Sequence, residues 1–177
     1  PAALTSLGLA LYQLCDYNQA LSYYQRAARL VPSDPVPVEK ISQIFERQGH
    51  IRKSVQAGMQ AAELHLKARD VEKSIAGWIR VLGLDPENQT AHTRLALIYE
   101  KLGRHKDAIL EYIAVASLMQ RNNAAEKAYQ VLRHCLQLVP GSIEAQQAMS
   151  LIKSGQRLPK PSRPRGGTGS VQPKKGH

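Results

Sequence analysis

Large aromatic side chains are scarce in this sequence: of 177 residues one is Trp, one is Phe and seven are Tyr. A core of this composition has to be assembled from Leu, Ala, Ile and Val, a mix that suits helices packed at close range. Cysteine is scarcer still. Cys15 and Cys135 stand far apart in the chain, with no CxxC or Cys/His spacing around either, which excludes a disulfide framework or a zinc site built on sequence spacing. Both are expected to be free, buried thiols in a reducing compartment. No apolar run approaches the roughly 20 residues that cross a bilayer, so no membrane span is expected. Phosphate loops, nucleophile elbows and paired-carboxylate constellations are missing too; Gly166-Gly167-Thr168-Gly169 follows no strand and precedes no helix, the context a phosphate loop needs.

Acidic residues are missing from one end of the chain. Of the 24 Lys and Arg, seven lie from Lys153 onward with no acid among them, which leaves 17 basic against 14 acidic side chains in residues 1 to 152. The net charge of +10 is therefore a property of the tail more than of the folded part. The same tail is rich in Gly and Pro and has too little apolar surface to offset the entropy of ordering it. Residues 155 to 177 read as a disordered linker, and Lys160, Arg163, Arg165, Lys174 and Lys175 offer at most weak contact to nucleic acid, anionic lipid or an acidic protein. Pro159, Pro161 and Pro164 would also suit a polyproline ligand.

What the chain does contain is a repeat. Shifted by 54 residues it aligns with itself without a gap: Ile44 falls on Ile98, Phe45 on Tyr99, Glu46 on Glu100, Gly49 on Gly103, Ala62 on Ala116, Leu82 on Leu136 and Pro86 on Pro140. Residues 1 to 34 join the same register, with Leu30, Leu84 and Leu138 coincident and Tyr24, Trp78 and Leu132 sharing one large apolar place. Apolar spacing predicts helices over 3–14, 17–30, 36–48, 51–67, 71–84, 89–102, 105–120, 124–138 and 142–154, with no strand candidates. Asp16, Asp70, Asn88, Asn123 and Ser142 are placed to cap helix starts, Asn123 with Glu126 at capping-box spacing. Gly49 and Gly103 stand where a helix must stop and the chain reverse.

Within that register the sequence resembles the tetratricopeptide repeat, a 34-residue helix-turn-helix unit of small, large and breaker residues. Leu4, Leu7 and Gly8 take the first-helix places; Tyr17 opens the second helix, Ala20, Tyr24 and Ala27 form its packing face, and Pro32 ends the unit. Further frames fit from residues 35 and 89. After each of these the next frame begins only 20 residues later, at 55 and 109, so one long helix must serve two successive repeats and each unit becomes a three-helix layer. The resemblance implies an all-α, right-handed α-solenoid of about nine helices over residues 1 to 154. It implies a cytoplasmic protein-interaction or scaffold module that binds a protein or peptide along its surface, with no enzyme activity. The family's usual contact positions fall on Gln43, Glu46 and Arg47 and on their register mates Leu97, Glu100 and Lys101. Thr5 and Leu9 occupy places where the family's carboxylate-clamping subtype has Lys and Asn, which argues against a clamp for chaperone tails.

Other readings have weaker footing. Nucleic-acid binding by the helical array would need a basic stripe within residues 1 to 152. A regulatory or sensor segment of a larger protein agrees with Pro1 opening in mid-pattern, and the open ends of a solenoid could self-associate. The six His include no i, i+4 pair on one helix face, Cys135 takes the core place of Ala27 and Val81, and Trp78 shares its place with Tyr24 and Leu132. Metal, nucleophile and cofactor roles for these residues are accordingly not expected.

Overall fold

The computed structural model describes residues 1–162. Among the described residues there are nine α-helices and no strand: α1 (Ala2–Gln13), α2 (Tyr17–Leu30), α3 (Pro35–Arg47), α4 (Ile51–Lys67), α5 (Val71–Leu84), α6 (Gln89–Lys101), α7 (His105–Arg121), α8 (Ala125–Leu138) and α9 (Ile143–Lys153). Helices α3, α4 and α5 have 13, 17 and 14 residues, and α6, α7 and α8 have the same three lengths. Tyr17, Val71 and Ala125, which open α2, α5 and α8, lie one repeat length apart. No described helix is long and apolar enough to cross a membrane.

Two kinds of helix end occur along the chain, and both follow from local chemistry. Six helices end in a Schellman turn, in which the residue after the C-cap adopts a left-handed conformation and two amides return to the last turn's carbonyls. After α3, for example, Gly49 N–H donates to Glu46 O at 3.0 Å and His50 N–H to Phe45 O at 2.8 Å. Gly49, Gly103 and Gly155 hold that position at φ +75°, +71° and +73°, whereas after α1, α4 and α7 it falls to Cys15, Arg69 and Asn123 at φ +61°, +63° and +59°. The other three helices stop at Val31, Asp85 and Val139, all at φ between −132° and −139°. Each precedes a proline, and the proline ring pushes the residue before it out of helical space.

Capping agrees with expectation at four starts: Asp16, Asp70, Asn88 and Ser142 accept from the amides of Gln19, Lys73, Ala91 and Ala145. Asn123 is a correction. It is the left-handed residue of the α7–α8 turn, Ala124 stands at the N-cap without a side-chain bond, and the capping box with Glu126 does not form. Asp34, not singled out in the sequence, caps α3 through the amide of Val36.

The helices pack as three layers because small and large side chains alternate in register. Ala20, Ser74 and Ala128 are fully buried, as are Tyr24, Trp78 and Leu132 to within 1%. A Cβ on Gly8 would stand 3.1 Å from the Tyr24 ring, and one on Gly77 only 3.0 Å from Ala62 Cβ, so the hairpins close on a glycine face. Cover is less uniform at the ends. Leu30 is 62% exposed while its mates Leu84 and Leu138 are half-buried. Cys15 likewise departs from expectation: it is exposed in the α1–α2 turn, and only Cys135 is buried.

The expected boundary at residue 155 comes too early. Leu158 is 1% exposed and joins the apolar cluster of Ala116, Ala128, Leu132, Ala148 and Met149, since the Schellman turn at Gly155 sends the chain back over α7. Of the expected tail, residues 163 to 177 lie outside the described residues, with Arg163, Arg165, Lys174 and Lys175 among them.

Two measurements check these assignments. Nothing lies within 4 Å of a Cβ built on Gly103, so Gly103→Val should lose stability through its backbone conformation alone, by about 1–2 kcal/mol. Arg69→Gly should raise it by roughly 0.5–1 kcal/mol after the extra unfolded-state freedom of glycine is counted; chemical denaturation reads both. Burial pushes the Cys135 thiol up to about 12, so titration of the native protein at neutral pH should label Cys15 within minutes and leave Cys135 protected until unfolding.

Candidate functional site

The two three-helix layers have the same backbone plan and fill it differently. In the first, α3, α4 and α5 enclose an open groove of about 320 Å³. Its floor and walls are small: Gly58, Ala61 and Ala62 from α4, Ala76 and Gly77 from α5. One repeat later Tyr112 stands in the place of Gly58 and Val131 in the place of Gly77, and the tyrosine is a buried member of the central core cluster. The groove of the first layer is thus lined by two glycines at places where the second layer carries Tyr112 and Val131.

Charge frames the groove. Ser42 lies on its wall, where the Ser42 hydroxyl donates to Ser54 O and the Ser54 hydroxyl to Ser42 O, both at 2.9 Å, a reciprocal pair that holds α3 tightly on α4. At one side His65 Nε2 meets Glu39 Oε2 at 3.1 Å, with the ring itself buried. Lys73 and Arg80 line the other side. Lys73 pairs with Asp70 at 2.9 Å, a contact that lowers the Asp70 carboxyl and raises the Lys73 ammonium. Arg80 forks onto Glu46 Oε2 through both Nε, at 3.0 Å, and Nη2. The register mate of that ion pair is Glu100 with His134, 3.0 Å apart. There the Tyr112 hydroxyl also donates to Glu100 Oε2 at 2.6 Å. These two hydrogen bonds, from Tyr112 first and His134 second, hold the Glu100 carboxyl below its ordinary range, while burial and then Glu100 push Tyr112 up.

The six residues expected to face a partner are thus divided in role. Glu46 and Glu100 are engaged in half-buried bridges that tie α3 to α5 and α6 to α8. Gln43 donates to Glu39 at 3.1 Å and accepts from Lys40 at 3.2 Å. Arg47 is exposed at the end of α3. Leu97, 40% exposed, and Lys101 line a shallower hollow of about 200 Å³ with Leu66, Val71, Arg94, Ile98 and Leu102, which none of the α3 trio joins. Arg94 is anchored there by Glu63 at 2.7 Å. Gly58, Gly77, Lys73 and Arg80 were not singled out from sequence; the signal for the two glycines was the loss of bulk at 58 and 77 when the chain is laid over itself.

Among the described residues no group of three or more His, Cys, Asp and Glu is placed to hold a metal ion. His92 is a buried titratable ring. Its Nδ1 meets Glu111 Oε2 at 2.6 Å and its Nε2 the carbonyl of Pro86 at 2.9 Å. Burial opposes its charge, but these two partners outweigh burial and leave the pKa above the ordinary value.

Layered helical hairpins, proline-terminated and lined with exposed grooves, define an α-helical repeat solenoid. Models of the tetratricopeptide repeat match residues 1–34 and 59–122, and the chain belongs to the tetratricopeptide-repeat family. It is similar to the DnaJ protein P58IPK homolog A of Oryza sativa subsp. japonica, 28% identical over 178 aligned residues that take in 89% of this chain and 35% of that protein. The chain thus spans about a third of that relative's length. Among solved structures it is similar to the N-terminal domain of stress-induced protein-1 from C. elegans, at 17% identity, 86% and 93% coverage of the two chains and a TM-score of 0.38. It is similar also to TTC0263, a thermophilic protein of the family in Thermus thermophilus, at 16% identity, 86% and 98% coverage and a TM-score of 0.32.

The His92 geometry gives a pH dependence. A raised folded-state pKa contributes stability that is fully present below the unfolded value, about 6.5, and is lost as pH rises through the folded value. The melting-temperature gap between the wild type and His92→Gln should therefore be wide near pH ~5.5 and narrow by pH ~8.5; a constant gap would show that the ring does not titrate with folding.

Proposed function

We propose that this chain is a protein-interaction module whose partner inserts an apolar side chain into the groove of α3, α4 and α5. The observation that carries the reading is the paired glycines, Gly58 and Gly77, at places where the next layer has Tyr112 and Val131. A groove with an apolar floor and Lys73, Arg80 and the Glu39/His65 pair at its rim suits a peptide or protein surface with one buried anchor and polar flanks. Arg47, Leu97 and Lys101 extend the contact on the same reading, beyond the groove itself. With 17 basic against 14 acidic side chains the solenoid is nearly balanced in charge, which favours a protein ligand over the basic stripe that nucleic acid requires.

The test is to refill the groove with the second layer's own residues. Gly58→Tyr alone is crowded, since its Cβ would lie 3.1 Å from Val81 Cγ2 and 3.2 Å from Ser42 Oγ. The second layer has Cys135 and Ala96 at those two places, so Gly58→Tyr is combined with Ser42→Ala and Val81→Cys. Peptides selected from a displayed library on the wild-type protein should bind it with micromolar Kd and lose at least about tenfold on the triple variant, whose melting temperature should stay within a few degrees. Undiminished binding to the filled variant would defeat the proposal.

A further inference from the structure

The face of α7 that the returning chain crosses carries a set of side chains that helix packing does not require. Ser117, Gln120 and Arg121 follow i, i+3, i+4 spacing and share one face. Their register mates on α4 are Glu63, Leu66 and Lys67, so nothing in the repeat demands a hydroxyl, an amide and a guanidinium here. All three address the backbone of residues 156 to 159. Gln120 grips it from both sides, its Nε2 donating to Gln156 O at 2.7 Å and its Oε1 accepting from Leu158 N–H at 2.8 Å. Arg121 Nη2 donates to Leu158 O at 3.1 Å, and the Ser117 hydroxyl, 1% exposed as a residue, donates to Pro159 O at 2.6 Å.

Between these anchors the Leu158 side chain is buried in the cluster it shares with Ala116, Ala148 and Met149. Lys160 Nζ then reaches Glu87 Oε1, in the α5–α6 connection, at 3.0 Å. Leu158 and Lys160 each precede a proline, which holds both out of helical space, and Pro159 has no amide to satisfy while its carbonyl is bound. Hydrogen bonds to the backbone, one deep leucine and one charge pair are the elements by which a protein surface reads a short non-helical peptide.

We propose that the cleft between α7 and α9 is a binding site for partner peptides carrying leucine followed by proline and a basic residue, and that residues 156–160 occupy it as the chain's own competing ligand. The site is separate from the α3/α4/α5 groove. Its cis ligand enjoys the high effective concentration of a short tether, so a partner peptide binds measurably only when it displaces that segment or when the segment lets go.

The probe is a fluorescent peptide with the sequence of residues 155–162, titrated against the full chain by polarisation. The wild type should bind it weakly. Leu158→Asp, which empties the cleft, should bind at least about tenfold more tightly, and adding Gln120→Ala to that variant should remove about tenfold or more of the gain, since two backbone hydrogen bonds go with it. A peptide with its leucine replaced by alanine should fail on every variant. Leu158→Ala, run in parallel with circular dichroism on all proteins, supplies the emptied cleft should the aspartate disturb the fold. Equal binding by wild type and both Leu158 variants overturns the proposal, as does indifference to Gln120→Ala. A wild-type dimer that Leu158→Asp converts to monomer would name a second copy, not a partner peptide, as the occupant and overturn it too. None of these outcomes bears on the Gly58 triple variant.

Discussion

The structure depends on the close approach of the middle helix of each layer to the helices on its two sides. Helix α4 packs against both α3 and α5, and its buried positions are small except at one end: Ser54, Ala57, Ala61 and Ala62, with His65 beyond them. The contact between Ala62 and Gly77 leaves no room for one further methyl, and Trp78 fills the space that so narrow a crossing opens beside it. Dispersion between surfaces at that distance is lost steeply with any gap. A two-helix repeat offers its second helix one such crossing; here the 17-residue helix makes two, and the next layer then has to begin after a proline turn.

That arrangement makes the two layers a natural comparison of one backbone with two fillings. The acid-to-base bridge across each layer persists while its chemistry changes, from Glu46 with Arg80 to Glu100 with His134. In the second layer Tyr112 packs edge-on to His134, ring centroids 5.3 Å apart, and bonds to the same carboxylate. Removing that tyrosine, in effect, is what the first layer has done. The open groove and the plugged one thus share their supporting contacts, which is why a groove can exist there without the layer coming apart.

Much of the fold was legible because its punctuation is chemical. The prolines at 32, 86 and 140 and the glycines at 49 and 103 mark ends that only those residues fix without strain, and every observed helix limit lies within one residue of its expected place. What escaped notice was conformational or contextual. Cys15, Arg69 and Asn123 occupy the same left-handed position as the glycines without a composition that betrays it, so Asn123 reads as a cap. Glu46 and Glu100 read as partner-facing because sequence spacing shows that they share a register, not that Arg80 and His134 reach across from another helix. The groove is written only as an absence, at Gly58 and Gly77.

Leu158 shows where compositional reasoning about disorder fails. Averaged over residues 155 to 177, apolar content is too low to favour order. Order in a short segment, however, depends on whether one apolar side chain finds a vacant place and whether the flanking peptide groups find partners. Helix α7 supplies both, and its Ser117, Gln120 and Arg121 are meaningful only once Gly155 has turned the chain toward them. The free energy of docking is then set by a handful of contacts against the entropy of a few residues already stiffened by proline. Such a balance lies near the point where a competitor of similar composition can tip it, which is the physical reason one cleft can hold the chain's own tail and still be open to exchange with a partner peptide.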